Sequence, residues 1–370
     1  MSEVIKDIIQ KEIVKSLGKN IAHGLLKLAP RVGKTKIGID IIKKEKAVSI
    51  LWVTPNTQLR DVDIPNEFRR WNAKTYLKKT TIICYNSLIN HKGNYDKIIL
   101  DEYQDLTDKN AKPLLDGTIK YRSILGLSGT HPEHEEKHFL YRLLKLDTLY
   151  EISINKAVEL GLIADYTINV VQCKLNDVDK NIEAGNKFKR FFTTEQANYN
   201  YLTKRIAQAM LLEPEKEMML NLARMRFIHN SPTKLEVAKY LFDKLTGRKI
   251  IFASNIKQSK EFTKHLYNSK TKKTHLEKFL AGKINDLACV NAGGIGFTYK
   301  NVDNFIVMQA NSDKKGNITQ KICRSLVLQE NYKATIWMIC LLDTQDEIWV
   351  QKALKNFKAS SINYVNFNNI

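Results

Sequence analysis

The chain has 370 residues and a formal net charge of +20 at pH 7, from 59 lysine and arginine against 39 aspartate and glutamate residues. Hydrophobic residues make up 43% and charged residues 26%, which is typical of globular proteins and excludes disorder as the main state. The longest apolar stretch, Ala334–Leu342, is far shorter than the about 20 residues that span a bilayer. The opening sequence MSEVIKDIIQKEIVKS also lacks the apolar core of a secretory signal, so we expect a cytoplasmic protein without a membrane partner.

The cysteine pattern and the charge limit the chemistry further. The five cysteines are scattered without a C-x-x-C pair, which is typical of a reducing compartment and predicts neither a disulfide nor a zinc framework. The excess of basic over acidic residues favours a polyanionic partner such as nucleic acid. A lysine-rich composition without functional meaning is the alternative, and the charge alone does not separate the two.

Short apolar runs alternate with helix-length stretches in the first part of the chain. Runs that are apolar on both sides and separated by helices predict strands of a mostly parallel sheet with both faces covered. The predicted strands are Gly24–Leu28, Val48–Thr54, Thr80–Cys84, Lys97–Leu100 and Ser123–Leu127.

The same pattern returns after a polar, helix-favouring stretch at about 175–235. The second set of predicted strands is Lys249–Ala253, Asp286–Val290, Asn304–Met308 and Thr335–Leu341. Two α/β domains joined by a helical connector are the simplest organisation. We therefore predict a first domain over 1–150, a largely helical connector over 151–235, a second domain over 236–345, and a C-terminal helix and tail over 346–370.

A phosphate-binding loop is predicted directly after the first strand. Gly33, Lys34 and Thr35 stand between that strand and a helical pattern, where backbone amides, an ammonium group and a hydroxyl can hold phosphates and Mg²⁺. The full pattern G-x-x-x-x-G-K-[ST] is not present, because Leu28 occupies the position of its first glycine. By itself the tripeptide also fits the start of any helix in an α/β domain.

Two adjacent carboxylates, Asp101 and Glu102, follow the apolar strand Lys97–Leu100. An NTPase needs one carboxylate to hold Mg²⁺ and one to activate water at such a strand end. A solvated turn is the alternative, and the upstream Gly33–Thr35 makes the NTPase interpretation the better one.

With Ser128–Thr130 (SGT) after the next run, the motif order resembles that of superfamily 2 helicases and translocases, which have two RecA-like domains. Gly33–Thr35 resembles motif I, and Asp101–Gln104 (DEYQ) resembles the DEAD/DEAH-type motif II. Ser128–Thr130 resembles motif III, and Thr54–Pro55 resembles motif Ia. Gln10 occupies the position of an adenine-reading glutamine.

The second half extends the resemblance. Asn291–Phe297 (NAGGIGF) is similar to motif V in its Swi/Snf-like form, and Gln320–Arg324 (QKICR) is similar to motif VI. Lys321, Cys323 and Val327 replace an arginine, a glycine and a second arginine of that motif. The nearest comparison is with compact phage-encoded helicases, including those that remodel branched DNA, which implies a bacterial or phage-infected cell.

The resemblance implies that ATP and Mg²⁺ bind between two RecA-like domains and that hydrolysis drives movement along nucleic acid, which we expect to be DNA. The residues implied to bind the nucleotide are Gln10, Gly33, Lys34, Thr35, Gly294 and Gly296, and those implied to hold Mg²⁺ are Thr35 and Asp101. The implied catalytic residues are Glu102, Gln320 and Arg324. Ser128 and Thr130 are implied to couple closure of the ATP site to nucleic acid. Candidate nucleic-acid contacts are Thr54, Pro55, Asn56 and Ser87.

Residues 187–192 (KFKRFF) alternate cations with aromatic rings, which suits phosphate pairing with base stacking. An amphipathic helix with its rings in the core is the alternative, and we prefer it. Two further functions stay open for the whole chain: a nucleic-acid-binding scaffold that hydrolyses ATP poorly, and an RNA helicase. A superfamily 1 motor is disfavoured, because that class has G-D-x-x-Q where this chain has Ser128–Thr130.

Overall fold

The computed structural model describes residues 2–18, 21–129, 135–185, 189–290, 299–310, 319, 322–323, 325–329 and 332–369. They group into two compact units. The first contains the residues up to Asp165 together with those of 319–332, and the second contains the remaining residues from Tyr166 onward. No helix among the described residues is long and apolar enough to cross a membrane.

The first unit is built on a six-stranded sheet with strand order β3-β2-β4-β5-β1-β6, and every pair of neighbouring strands is parallel. Its strands are β1 Gly24–Leu28, β2 Ile50–Thr54, β3 Thr80–Cys84, β4 Gly93–Asp101, β5 Ile119–Ser128 and β6 Thr148–Ile152. Its helices are α1 Ser2–Ser16, α2 Lys34–Glu45, α3 Ile64–Arg70, α4 Lys74–Leu77, α5 Tyr85–Leu88, α6 Asp108–Leu115, α7 Glu135–Leu143 and α8 Ile154–Glu159.

Strand β2 shows why the apolar runs predict this sheet. All five of its residues are buried, because successive side chains point to opposite faces and both faces are covered by helices. Trp52 packs edge-on against Phe68 of α3, with ring centroids 5.6 Å apart. Leu51 and Val53 belong to the hydrophobic cluster on the other face, which includes Leu114 of α6.

The second unit is built on a seven-stranded sheet with strand order β11-β12-β10-β13-β14-β7-β15. Its strands are β7 Asp165–Cys173, β10 Lys249–Ala253, β11 Leu266–Tyr267, β12 Asp286–Val290, β13 Asn304–Val307, β14 Lys333–Leu341 and β15 Ile362–Asn366. Its helices are α9 Glu195–Leu212, α10 Pro214–His229, α11 Pro232–Lys244, α12 Ile256–Ser259, α13 Thr274–Leu280 and α14 Gln345–Leu354.

All the strands predicted from apolar runs are present, and the fold class predicted from the sequence is confirmed. The segment predicted as a connector holds the long helices α9 and α10, but it also supplies β7 to the second sheet. The segment predicted as a C-terminal helix and tail holds α14 and then β15, which pairs in parallel with β7. Sequence reasoning missed both strands, because β7 is placed by its neighbours β14 and β15, and β15 by β7, all distant in the chain.

A separate antiparallel ribbon precedes α9. It consists of β8 Ile182–Gly185 and β9 Arg190–Thr193, and residues 189–192 are exposed one after another. The preferred prediction of an amphipathic helix with its rings in the core is therefore wrong for these residues. The remaining residues of that predicted helix, 187–188, lie outside the described part of the chain.

Candidate nucleotide-binding site

The centre of the first sheet brings the three predicted motifs of this unit to one edge. Strand β5 lies between β4 and β1, with Leu127 opposite Asp101 and Ser128 opposite Lys27. Because these strands are parallel, their carboxyl ends meet at the same edge, where ligands bind in open α/β sheets. The loop after β1, the acidic pair after β4 and the residues at the end of β5 are thus neighbours in space.

The loop between β1 and α2 is held in a compact turn. The Ala29 N–H donates to the Ile152 carbonyl at 2.9 Å, and the Val32 N–H donates to the Ala29 carbonyl at 3.3 Å. Gly33 has a φ of +95°, a conformation that favours glycine, and a Cβ at this position would lie 2.2 Å from Gln10 Nε2. The conformation and the close approach therefore explain why the sequence has glycine here.

The N-terminus of α2 is suited to bind an anion. The helix begins at Lys34, no side chain among the described residues caps it, and its first turn holds no acidic residue. The first backbone N–H groups of a helix have no acceptor within it, and the helix dipole makes this end positive. The loop and α2 thus present amides where a phosphate group can accept hydrogen bonds.

Lys34 belongs to a polar network with Glu102 and Gln104, which follow β4, and with Ser128. Its Nζ is 2.8 Å from Glu102 Oε1. The other carboxylate oxygen of Glu102 accepts a hydrogen bond from Gln104 Nε2 at 2.9 Å and one from Ser128 Oγ at 3.3 Å. Ser128 Oγ also lies 2.5 Å from Gln104 Oε1, so its single proton is shared between the two acceptors. The network fixes the orientation of the Glu102 carboxylate.

Gly129 permits this close packing. A Cβ at Gly129 would lie 3.1 Å from Lys34 Nζ and 2.9 Å from Pro30 Cγ. A larger residue would therefore displace the phosphate loop or the lysine. Gly129 thus contributes through its small size, and Ser128 through its hydroxyl.

The two adjacent carboxylates have opposite electrostatic environments. Asp101 is buried, and its burial together with the neighbouring Glu102 charge raises the pKa of its carboxyl group to about 7. Burial also acts to raise the pKa of Glu102, but the Lys34 ammonium outweighs it and the pKa of Glu102 is lowered. Glu102 is therefore ionised at neutral pH, whereas Asp101 is partly protonated until a cation approaches.

A cavity of about 650 Å³ adjoins the phosphate loop on the side of α1. Gln10 of α1 lines it, is only 3% exposed, and donates from Nε2 to the Val32 carbonyl at 2.7 Å. The residue predicted to read adenine thus lies beside the loop, on the wall of a cavity large enough for a ligand. The remaining lining residues are Val4, Lys6, Asp7, Arg31, Gly33, Thr35, Lys36, Glu67, Arg70 and Trp71.

Arg31 connects the loop after β1 to Cys323, which belongs to the segment that resembles motif VI. Its Nε donates to the Cys323 carbonyl at 3.0 Å, and both residues belong to the first unit. The Ala164 N–H donates to the Leu326 carbonyl at 3.3 Å and fastens the same segment. Sequence reasoning missed Arg31, because its partner is nearly three hundred residues away in the chain.

The predicted nucleic-acid contacts lie at the ends of β2 and β3, which pair directly and share the same sheet edge. Ser87 is exposed, and Pro55 and Asn56 are half-buried. The Asn56 side chain accepts a hydrogen bond from the Leu59 N–H at 3.0 Å. Thr54 is fully buried, so its side chain does not reach the surface at which a nucleic acid would bind.

Several predicted residues lie outside the described part of the chain. They are Thr130, Gly294, Gly296, Gln320 and Arg324. The role of Gln104 in holding Glu102 was not predicted, although the residue was already part of the second motif. The cavity wall formed by Glu67, Arg70 and Trp71 was also missed, since α3 approaches the loop only in the folded chain.

The described residues fit the binding of a nucleotide phosphate with Mg²⁺. Oxygen donors are the ligands that Mg²⁺ prefers, and Asp101 and Thr35 supply a carboxylate and a hydroxyl. The raised pKa of Asp101 marks a buried carboxylate that a cation would stabilise in its charged form. The cradle of the loop, the N-terminus of α2 and Lys34 suit the phosphates of the same ligand.

The sheets, their order and the location of this site define the tandem RecA-like fold of helicase domains. Neither a protein-family model nor a curated protein matches the sequence. Solved helicase structures match it over nearly its whole length. The helicase domain of Pyrococcus furiosus Hef is 13% identical with a TM-score of 0.55, over 95% of this chain and 97% of that chain.

Two further structures have the same fold. S. cerevisiae Dbp5 bound to RNA and ADP BeF3 is 11% identical with a TM-score of 0.59, over 97% of this chain and 90% of that one. The ATP-dependent Type ISP restriction-modification enzyme LlaBIII bound to DNA is 12% identical with a TM-score of 0.58, and the match covers 98% of this chain but 31% of that enzyme. At these identities the similarity establishes the fold.

Proposed function

We propose that this protein is an ATP-dependent helicase or translocase that acts on DNA. The observation that carries the proposal is the meeting of the phosphate loop, the Asp101–Glu102 pair and Ser128 at one sheet edge. The motif order and the net charge of +20 support it. The fold shared with Hef, LlaBIII and Dbp5 supports a motor but does not distinguish DNA from RNA.

In the proposed reaction the loop amides, Lys34 and the N-terminus of α2 bind the phosphates of ATP, and Gln10 contacts the base. Lys34 is shared between the incoming phosphates and Glu102, with which it pairs at 2.8 Å. When the phosphates attract the ammonium group, Glu102 loses its main stabilising partner and its pKa rises. Nucleotide binding thereby makes Glu102 a better base.

Glu102 then orients a water molecule and accepts its proton as the water oxygen attacks the γ-phosphorus and ADP leaves. Gln104 and Ser128 hold the carboxylate in position. Thr35 and Asp101 would hold Mg²⁺, which neutralises charge on the phosphates when it is bound. Arg324 is proposed to stabilise the charge of the transferring phosphoryl group, with Gln320 beside it in the motif and Gly294 and Gly296 at the nucleotide.

The decisive test is ATP turnover by the full chain with and without DNA. We expect turnover that DNA stimulates, and we expect Glu102→Gln to lower kcat by about 10²–10⁴-fold while ATP binding is retained. Glu151→Gln is the matched control, because Glu151 lies on β6 with its side chain 59% exposed. Wild-type turnover in Glu102→Gln would remove this residue from the mechanism.

The scaffold alternative has its own outcome in the same assay. Negligible turnover that Lys34→Ala leaves unchanged would favour a binding protein without a motor function. Comparing the stimulation of ATP turnover by DNA with that by RNA of the same sequence then identifies the preferred nucleic acid. Affinity for it should fall steeply as salt rises, since several phosphates are neutralised.

A further inference from the structure

The ribbon β8–β9 exposes two adjacent aromatic rings. Phe191 is 52% exposed and Phe192 is 63% exposed. Neighbouring residues of a strand point to opposite faces, so each face of the ribbon has one ring. Opposite these rings on β8 stand Ala184 and Glu183, which are a small and a polar residue. Neither side chain can shield a phenyl ring from water.

No core among the described residues explains these rings. Strands β8 and β9 pair only with each other in the part of the chain that the structure describes. Moving a phenylalanine ring out of water lowers the free energy, and clustered exposed apolar side chains mark surfaces that bind a partner or a ligand.

The base of the ribbon is fixed where β9 leads into α9. Thr194 follows β9 and caps α9 by accepting from the Ala197 N–H at 3.1 Å. Glu195 is fully buried and accepts from Ser231 Oγ at 2.5 Å and from the Asn176 N–H at 3.1 Å. Binding to an element that is already ordered costs less conformational entropy, so less affinity is lost.

Cations stand directly beside the rings. Lys189 and Arg190 precede Phe191, and all are exposed. Arg190 pairs with Glu183 at 2.8 Å across the ribbon, with side chains 70% and 52% exposed. Exposed ion pairs of this kind are weak, so a phosphate can replace the glutamate as the partner of Arg190. Two cations followed by two exposed rings suit a ligand that carries both phosphates and bases.

We propose that the ribbon binds a single-stranded segment of nucleic acid, with unpaired bases stacked on Phe191 and Phe192 and a phosphate on Arg190. Paired and stacked bases of a duplex do not present their faces to such rings, so single strands should bind better. The inference rests on the proposed function in one respect, namely that nucleic acid is the partner. It does not depend on ATP hydrolysis.

The test measures fluorescence anisotropy of a labelled oligothymidylate of about 20 nucleotides, longer than the usual site, with the full chain. Stacking on one ring contributes about 5-fold or more in affinity, so Phe191→Ala with Phe192→Ala should raise Kd by at least about 25-fold. Tyrosine at both positions should restore binding to within about 2-fold, because its ring also stacks. The matched control is Phe139→Ala, since Phe139 of α7 is 57% exposed and distant in sequence.

The outcomes separate this inference from the proposed function. An equal Kd for the alanine pair and the Phe139→Ala control would overturn the inference, and so would wild-type protein that binds no oligothymidylate. A larger loss for a duplex than for the single strand would also overturn it. Self-association that the alanine pair abolishes would identify a second copy as the ligand instead. ATP turnover without nucleic acid should be unchanged in the alanine pair. Absence of ATP turnover by the wild-type protein even in the presence of DNA would contradict only the proposed function.

Discussion

Replacing Asp101 by asparagine should stabilise the protein at high pH and remove its proposed Mg²⁺ ligand. The Asp101 carboxyl is buried at the end of β4, and burial together with the Glu102 charge raises its pKa from an ordinary value of 3.8 to about 7. In the unfolded chain the same group ionises near 3.8. Because the folded pKa is the higher one, the stability that the protonated group provides is lost as pH rises from about 4 to about 7.

The size of the effect follows from the pKa rise. At about 1.4 kcal/mol per pKa unit, a rise from 3.8 to about 7 corresponds to about 4 kcal/mol. Asparagine has the same shape without a charge, so it avoids this cost. The free energy of unfolding of Asp101→Asn should exceed that of the wild type by less than about 2 kcal/mol at pH 5 and by about 4 kcal/mol at pH 8.

The neighbouring carboxylate provides a control with the opposite sign. The pKa of Glu102 is lowered, because the Lys34 ammonium outweighs the effect of burial. Its ionised form therefore contributes stability above its ordinary pKa, and this contribution is lost as pH falls. At pH 8 Glu102→Gln loses the attraction of Lys34 as well as the repulsion of Asp101, so this variant should be less stable than Asp101→Asn.

The assay is urea unfolding at pH 5 and pH 8 without Mg²⁺, followed by tryptophan fluorescence and circular dichroism. Trp52 on β2 and Trp71 after α3 report on the first unit. The two compact units make separate transitions possible, so the transition that changes with each variant is the one analysed. If Asp101→Asn is no more stable than the wild type at pH 8, the explanation of the raised pKa by burial is refuted.

The remaining predictions concern binding, turnover and packing. Gln10→Ala should raise the KM for ATP about 10-fold with a smaller effect on kcat, because one hydrogen-bonding side chain at the base is lost; an unchanged KM would contradict its assignment. Ser128→Ala should lower kcat about 10-fold, since Glu102 and Gln104 lose a hydroxyl partner, and steady-state kinetics would detect it. The affinity for Mg²⁺, measured calorimetrically, should fall about 10-fold per pH unit below about 7 as Asp101 is protonated, and a flat profile would refute this. Gly126→Ala should lower the unfolding free energy by about 1–3 kcal/mol in thermal unfolding, since its Cβ would lie 2.5 Å from a leucine of β1.

The central strands, and the position of Gly33–Thr35 between the first strand and a helix, were predictable from the sequence. A strand covered on both faces needs an unbroken apolar run, as Ile50–Thr54 shows, and no distant residue is required to recognise it. The loop was recognisable because Gly33, Lys34 and Thr35 are consecutive, so their chemistry is encoded locally. Asp101 and Glu102 were recognisable for the same reason.

Edge elements were less predictable. Strand β15 is half-exposed and polar, and it becomes a strand by pairing with β7, which lies almost two hundred residues earlier. The rings at 191–192 have the composition of a core helix, yet they lie exposed on a two-stranded ribbon. Composition does not reveal whether another element covers a side chain.

The sequence by itself determined the alternation of strands and helices, the position of Gly33–Thr35 between β1 and α2, and the two acidic residues at the end of β4. Each of these depends on neighbours in the chain. Only the tertiary structure decided that Lys34 pairs with Glu102, that Gln104 and Ser128 hold the same carboxylate, and that Asp101 lies deep enough for its pKa to rise. The distances between such residues, and the burial of each, follow from the strand order β4-β5-β1 and from its parallel register. Pairing between strands that are far apart in the chain fixes both.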